Sequence, residues 1–135
     1  TIYVALDGHF GANHVTPRGL SASLLGQVIC LEGITTKCYE VKAKVLESVH
    51  YTPATGKQVK RAYTDLGSLS GKRTTSTYPT TDADGNALVT EFGLSEYQDH
   101  QQITLQEMPE RAPAGQLPRS IDILLYNSLV DSVKV

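Results

Sequence analysis

The chain has no tryptophan, one methionine, two phenylalanines and two cysteines in 135 residues. Cys30 and Cys38 are too few for a disulfide framework. No Asn-x-Ser/Thr acceptor occurs. The longest uncharged apolar run, Leu24 to Leu31, is interrupted by Gly26 and Gln27, so neither a membrane span nor a signal peptide is expected. These absences predict an intracellular protein in a reducing compartment with no membrane partner. With 40% hydrophobic and 19% charged residues the chain suits one soluble domain with a modest core.

Basic charge is also scarce, since the net charge is −2. A simple nucleic-acid footprint would be strongly positive. The distribution is more informative. Residues 51 to 77 carry Lys57, Lys60, Arg61, Lys72 and Arg73 against Asp65 alone, whereas residues 78 to 110 carry seven acids and no base. Such a bipolar middle suits contact with neighbours of alternating sign, or is a solvated surface with local ion pairs.

Proline and glycine, in contrast, are concentrated. Gln106 to Arg119, QEMPERAPAGQLPR, holds Pro109, Pro113, Pro118 and Gly115 between two apolar runs. The prolines fix φ and remove donors while Gly115 permits a positive φ, so a stiff excursion is expected.

Elsewhere the pattern is mostly β. Asn13 to Gly26 reads as one short helix, with Thr16 as N-cap, Pro17 at the first helical position, Leu20 and Leu24 on one face, and Gly26 closing it. Gln27 to Thr36 reads as a buried strand with a kink or bulge at Gly33. In Val41 to Val45 the alternation puts the valines and Ala43 on one face and Lys42 and Lys44 together on an exposed one. A turn at Pro53 to Gly56 and a returning strand over Lys57 to Tyr63 make a hairpin. Gly67 to Thr77 is loop, and Asp82 to Asn86, DADGN, is a second turn. Strands over Gln102 to Glu107 and Ser120 to Leu125 flank the proline-rich stretch. Short strands with one short helix predict a mainly β protein, either a small oligonucleotide/oligosaccharide-binding (OB) barrel or a sandwich, with residues 52–98 as an insertion.

Motifs for chemistry are missing. Gly67 to Arg73, GSLSGKR, is one residue short of a phosphate loop, and Arg73 stands where a magnesium-binding Ser or Thr belongs. Asp82 to Asn86 begins like a calcium loop, but its glycine is early and Gly93 occupies the twelfth position. Cys30, Cys38, His9, His14, His50 and His100 do not form the two close pairs of a zinc site. No nucleophile-elbow or Cys/His signature occurs. The chain reads as non-catalytic, with no metal and no cofactor.

The words FGANHVTPRGL (10–20), CLEGITTKC (30–38), VKAKV (41–45), SVHYTPATGK (48–57), the long run from Thr90 to Leu125, and LVDSVK (129–134) closely resemble, in order and spacing, the minichromosome maintenance (MCM) family. The subunit-3 branch matches best. The resemblance implies an N-terminal OB barrel, incomplete at its C-terminus, in three parts. Residues 1–51 would hold the helix and first OB strands, 52–98 an inserted, degenerate zinc-ribbon-like subdomain, and 99–135 further OB strands with an allosteric loop at 106–119. Thr52 stands where related sequences can carry a cysteine, in line with the ligand count.

The resemblance further implies DNA contact, single- or double-stranded, through Lys37, Lys42, Lys44 and Arg119, with Tyr39 as a stacking face. Gln106, Glu107, Gly115 and Arg119 would carry the loop's signal to the ATPase tier of an adjacent subunit. Partners would be the other MCM subunits of a hetero-hexameric ring, in the nucleus, with ATP and magnesium bound by the full-length parent. After Asp122 the family's acidic run and PGDRV-type word are absent; the final OB strands, a DNA-contacting β-hairpin and the ATPase module are missing, which implies a fragment or a truncated derivative. Two other readings predict differently. A stand-alone single-strand-binding OB protein would bind oligonucleotides tightly by itself; a protein-interaction module would ignore DNA.

Overall fold

The computed structural model describes residues 2–63 and 77–135. Gly67 to Arg73 lies outside them, as does the expected 67–77 loop apart from Thr77. The chain divides into two compact units, 1–40 with 101–135, and 41–100.

Eight strands follow one another: β1 His14–Val15, β2 Cys30–Leu31, β3 Ile34–Cys38, β4 Lys42–Tyr51, β5 Gln58–Ala62, β6 Val89–Thr90, β7 Glu96–Gln106 and β8 Ser120–Tyr126. The mainly β expectation holds. No closed barrel forms among the described residues.

In the first unit β1 and β2 form a short parallel pair, with His14 opposite Cys30. Strand β3 runs antiparallel to the second half of β7, from Ile34 opposite Gln106 to Cys38 opposite Ile103. Strand β8 also pairs with β7. Along that half of β7 alternate residues Gln101, Ile103, Leu105 and, just beyond, Glu107 are buried, which is the period of a strand with one covered face. The polar members are satisfied. The Gln101 amide donates to the Tyr39 carbonyl at 2.7 Å and its Oε1 accepts the Asp131 amide at 2.8 Å. A side chain here ties together two segments that no strand pairing joins.

The expected helix over 13–26 is not formed. Three-residue 3-10 turns at Pro17–Gly19 and Ala22–Leu24 replace it, with Leu20 and Ser21 extended between them, and Thr16 makes no side-chain cap. Serines and glycine in this stretch have weak helix propensity. The strand expected at 27–36 is likewise broken at Glu32–Gly33, and Ile34 is exposed rather than buried. Gly33 marks a close approach: a Cβ there would lie 2.5 Å from the Gln106 carbonyl oxygen and 2.7 Å from Leu105 Cγ. The bulge itself falls at Thr36, between Thr35 and Lys37.

In the second unit β4 is the hub. It pairs with the first half of β7, from Lys42 opposite His100 to Glu47 opposite Glu96. Its end pairs with β5, from Glu47 opposite Ala62 to Tyr51 opposite Gln58, and with β6 at His50 and Tyr51. The hairpin turn is as expected. Gly56 has φ +69° and donates to the Thr52 carbonyl at 2.7 Å. The DADGN turn is also as expected: Asp82 Oδ1 accepts the Asp84 and Asn86 amides, and Gly85 has φ +81°. These bonds, the Asn86 amide first, hold the Asp82 carboxyl below the ordinary carboxylate range. One detail differs. Lys42 is exposed as expected but Lys44 is half-buried, and on the other face Val41 and Ala43 are exposed while Val45 is half-buried.

Candidate nucleic-acid interface and the proline-rich loop

The five positions expected to meet DNA are divided between the units. Lys37 and Tyr39, two residues apart along extended chain, belong with Arg119 to the first; Lys42 and Lys44 belong to the second. Lys37 is exposed on β3, and Tyr39 is 47% exposed, its amide held by the Gln102 carbonyl at 3.0 Å. A ring fixed at its backbone and open on its side chain can stack on a planar partner. Lys42 and Lys44 lie on one side of β4, but neither is free: each already engages another group. A phosphate would have to compete for them. Arg119 is exposed at the end of the proline-rich stretch.

The loop is braced at its base. Glu107 is 1% exposed, a burial that an isolated carboxylate resists strongly. Arg18 supplies the compensation. Its Nε lies 3.1 and 3.3 Å from the two Glu107 oxygens, its Nη1 donates to Gln116 Oε1 at 2.6 Å and its Nη2 to the Leu117 carbonyl at 3.0 Å. The backbones of Glu107 and Arg119 close the neck, with the Glu107 amide 2.8 Å from the Arg119 carbonyl and the Arg119 amide 3.4 Å from Glu107 Oε2. One guanidinium thus binds both the carboxylate at the loop's start and the carbonyl near its end. That use of the planar fork suits arginine and not lysine.

A second brace holds the far shoulder. The loop opens with a 3-10 turn at Pro109–Arg111, and Arg111 Nη2 lies 3.2 Å from Glu32 Oε2. Glu32 Oε1 is 2.9 Å from His14 Nε2, and the His14 ring stacks on His9 at 5.2 Å. Past the turn the Gln116 amide donates to the Pro113 carbonyl at 3.1 Å, and Gly115 takes φ +77°. The excursion is therefore braced at two places, and Gly115 takes the positive φ expected of it. Gln106 contributes backbone, pairing with Ile34 and crowding Gly33.

Arg18 escaped notice in the sequence, where it sat inside an expected helix. The available signal was indirect. Alternation through Gln101, Ile103 and Leu105 points Glu107 inward, and a buried acid demands a cation.

The second unit contains an unforeseen polar knot. Ser48 Oγ is 2.8 Å from His50 Nε2 and 2.9 Å from the Tyr63 hydroxyl, while Thr90 Oγ1 is 3.1 Å from His50 Nδ1. Tyr78 packs edge-on against both His50 and Tyr63. A Ser–His contact is the start of a nucleophile-and-base pair. Here both residues are fully buried among the groups they bond, which is the setting of a satisfied packing contact. Burial, then the Arg61 charge, pushes the His50 pKa down. Among the described residues no three His, Cys, Asp or Glu side chains converge as a metal site would require.

An OB-type β scaffold carrying a braced proline-rich loop defines the class to which the comparisons point. Residues 14–135 match the MCM OB domain, and the chain belongs to that family. It is 58% identical over 132 residues to the zygotic DNA replication licensing factor mcm3 of Xenopus laevis, 55% over 132 residues to the DNA replication licensing factor MCM3 of Gallus gallus, and 53% over 133 residues to that of Drosophila melanogaster. Each alignment covers 98% of this chain and 16% of the relative. The subunit-3 resemblance stands.

Proposed function

We propose that the chain is the N-terminal OB region of a replicative helicase subunit of the subunit-3 type, serving replication licensing. The observation that carries this reading is identity of 58% over 98% of the chain to a protein named as a licensing factor. On this reading it works in the nucleus within a hetero-hexameric ring of MCM subunits, and the full-length parent binds ATP and magnesium. Lys37, Lys42, Lys44 and Arg119 track DNA phosphates and Tyr39 offers a stacking face, as OB surfaces do.

The loop at 106–119 then passes displacement to an adjacent subunit. Its two braces and Gly115 turn support this, because a segment transmits motion only if it does not bend under load. Residues 52–98 are read as the inserted, degenerate zinc-ribbon-like subdomain; its Tyr63, Tyr78 and Thr90 join Ser48 and His50 of the flanking chain in the polar knot.

The test is a chimera in which this chain replaces the matching 132 residues of the Xenopus laevis relative, assayed for replication licensing in extract depleted of that relative. Restored licensing supports the reading. Restored assembly without licensing would move the function from DNA to subunit contact, and failure of a correctly folded chimera to assemble would refute it.

A further inference from the structure

Two Asp-Gly steps occur in the chain, Asp7-Gly8 and Asp84-Gly85, and they are in opposite chemical situations. Asp-Gly is the step at which a backbone amide nitrogen most easily reaches the preceding side-chain carboxyl, because glycine has no Cβ to obstruct the approach and adopts the necessary φ without strain. At Asp84-Gly85 the nucleophile is engaged elsewhere. The Gly85 amide donates to the Asp82 carbonyl at 3.2 Å, the Asp84 amide to Asp82 Oδ1 at 3.0 Å, and the Asn86 amide to the same Oδ1 at 2.8 Å. Three successive peptide units are pinned in the turn.

At Asp7-Gly8 the geometry is reversed. The Gly8 amide donates to the Asp7 carboxyl itself, 2.8 Å from Oδ1. Gly8 has φ +111°, nothing lies within 4 Å of the place a Cβ would occupy, and both residues are exposed. Leu6 beside them is 65% exposed. The amide nitrogen is thus held against the carboxyl it would attack, on chain left exposed by the described residues.

We infer that Asp7-Gly8 is a site of spontaneous covalent modification, converting aspartate to isoaspartate through a cyclic imide. The Gly8 nitrogen attacks Asp7 Cγ; the N–Cγ bond forms, the Cγ–OH bond breaks, and the amide proton leaves with that hydroxyl as water. Water then adds to the α-carbonyl carbon of the imide and breaks its bond to nitrogen. The Asp7–Gly8 peptide link now runs through Cγ, and the former main-chain carbonyl has become a free carboxylate. Atoms balance with one water lost and one regained, and no oxidant or reductant enters. The main chain gains one methylene just before the Gly11–Asn13 turn. The new α-carboxylate is the acceptor for carboxyl methyl transfer from S-adenosylmethionine, so the partner implied is an isoaspartyl carboxyl methyltransferase.

The test is to age the folded chain at neutral pH and physiological temperature, digest it, and resolve isoaspartyl from aspartyl peptides by electron-transfer fragmentation, with methyl incorporation from labelled S-adenosylmethionine as a second readout. Isoaspartate should accumulate at residue 7 while residue 84 stays aspartate, and in the urea-unfolded chain the two rates should approach parity. Gly8→Ala should suppress conversion at residue 7 and leave residue 84 unchanged. Equal rates in the folded chain, earlier conversion at residue 84, or no conversion at residue 7 would overturn the inference.

Discussion

Replacing Arg18 with alanine removes the guanidinium that holds Glu107, Gln116 and the Leu117 carbonyl at 2.6 to 3.3 Å. Among the described residues, the Glu107 carboxylate, 1% exposed, is left with the long bond from the Arg119 amide at 3.4 Å. Removing one partner of a fully buried pair costs roughly 3–5 kcal/mol. Because Arg18 is itself 22% exposed, water and salt screen part of the interaction, and about 2–4 kcal/mol is expected. With a urea m-value of about 2 kcal/mol per molar, the unfolding midpoint should fall by roughly 1–2 M. Pairing Arg18→Ala with Glu107→Gln removes the stranded charge, so the double variant should be more stable than the sum of the singles by about 1–3 kcal/mol. Hydrogen exchange at the Glu107 amide, bonded across the neck, should accelerate in Arg18→Ala before global unfolding does. A single-variant loss below about 0.5 kcal/mol, in the range of ordinary surface changes, or strict additivity of the pair would refute the brace.

Other substitutions probe other links. Gly33→Ala would drive a Cβ to 2.5 Å from the Gln106 carbonyl oxygen, and overpacking of this kind should cost about 1–3 kcal/mol, read by urea unfolding. At Gly115 an added Cβ meets no atom within 4 Å, but Gly115→Val must hold φ +77°, costing roughly 1–2 kcal/mol, while Gly115→Asn should be nearly neutral because Asn tolerates that region. His50, whose folded pKa lies below its ordinary value of 6.5, binds a proton more readily unfolded than folded. Its contribution is therefore intact above pH 6.5 and is lost as pH falls below it, by at most about 1.4 kcal/mol per pH unit until the folded pKa is passed. Subtracting the pH profile of His50→Gln isolates that slope, and identical profiles would remove His50 from the account.

Features set by local chemistry were legible in the sequence. Pro53 and Gly56 specify the hairpin turn, Asp82 caps its own turn, and Gly115 needs only its own backbone freedom. The strand at 102–107 was readable because Ile103 and Leu105 alternate with polar neighbours. The 13–26 stretch misled, because Thr-Pro starts a 3-10 turn as readily as a helix and the Leu20–Leu24 spacing does not outweigh the serines between them. Alternation at 41–45 told which residues share a side but not whether anything covers it; Val41 and Ala43 stayed exposed. Arg18 and Glu107 are 89 residues apart, and the Ser48–His50–Thr90 knot joins positions up to 42 apart. Neither pairing has a local signature, so only the folded chain displays them.

The most direct measurement of the proposed role is fluorescence anisotropy of a labelled single-stranded oligonucleotide titrated with this chain at several salt concentrations, beside a Lys42→Glu/Lys44→Glu variant. The logarithm of the affinity should fall linearly with the logarithm of salt concentration, with a slope flatter by about 0.7 for each phosphate contact the variant loses. Affinity indifferent to salt, or unchanged in the variant, would contradict placement of the DNA contact on that strand.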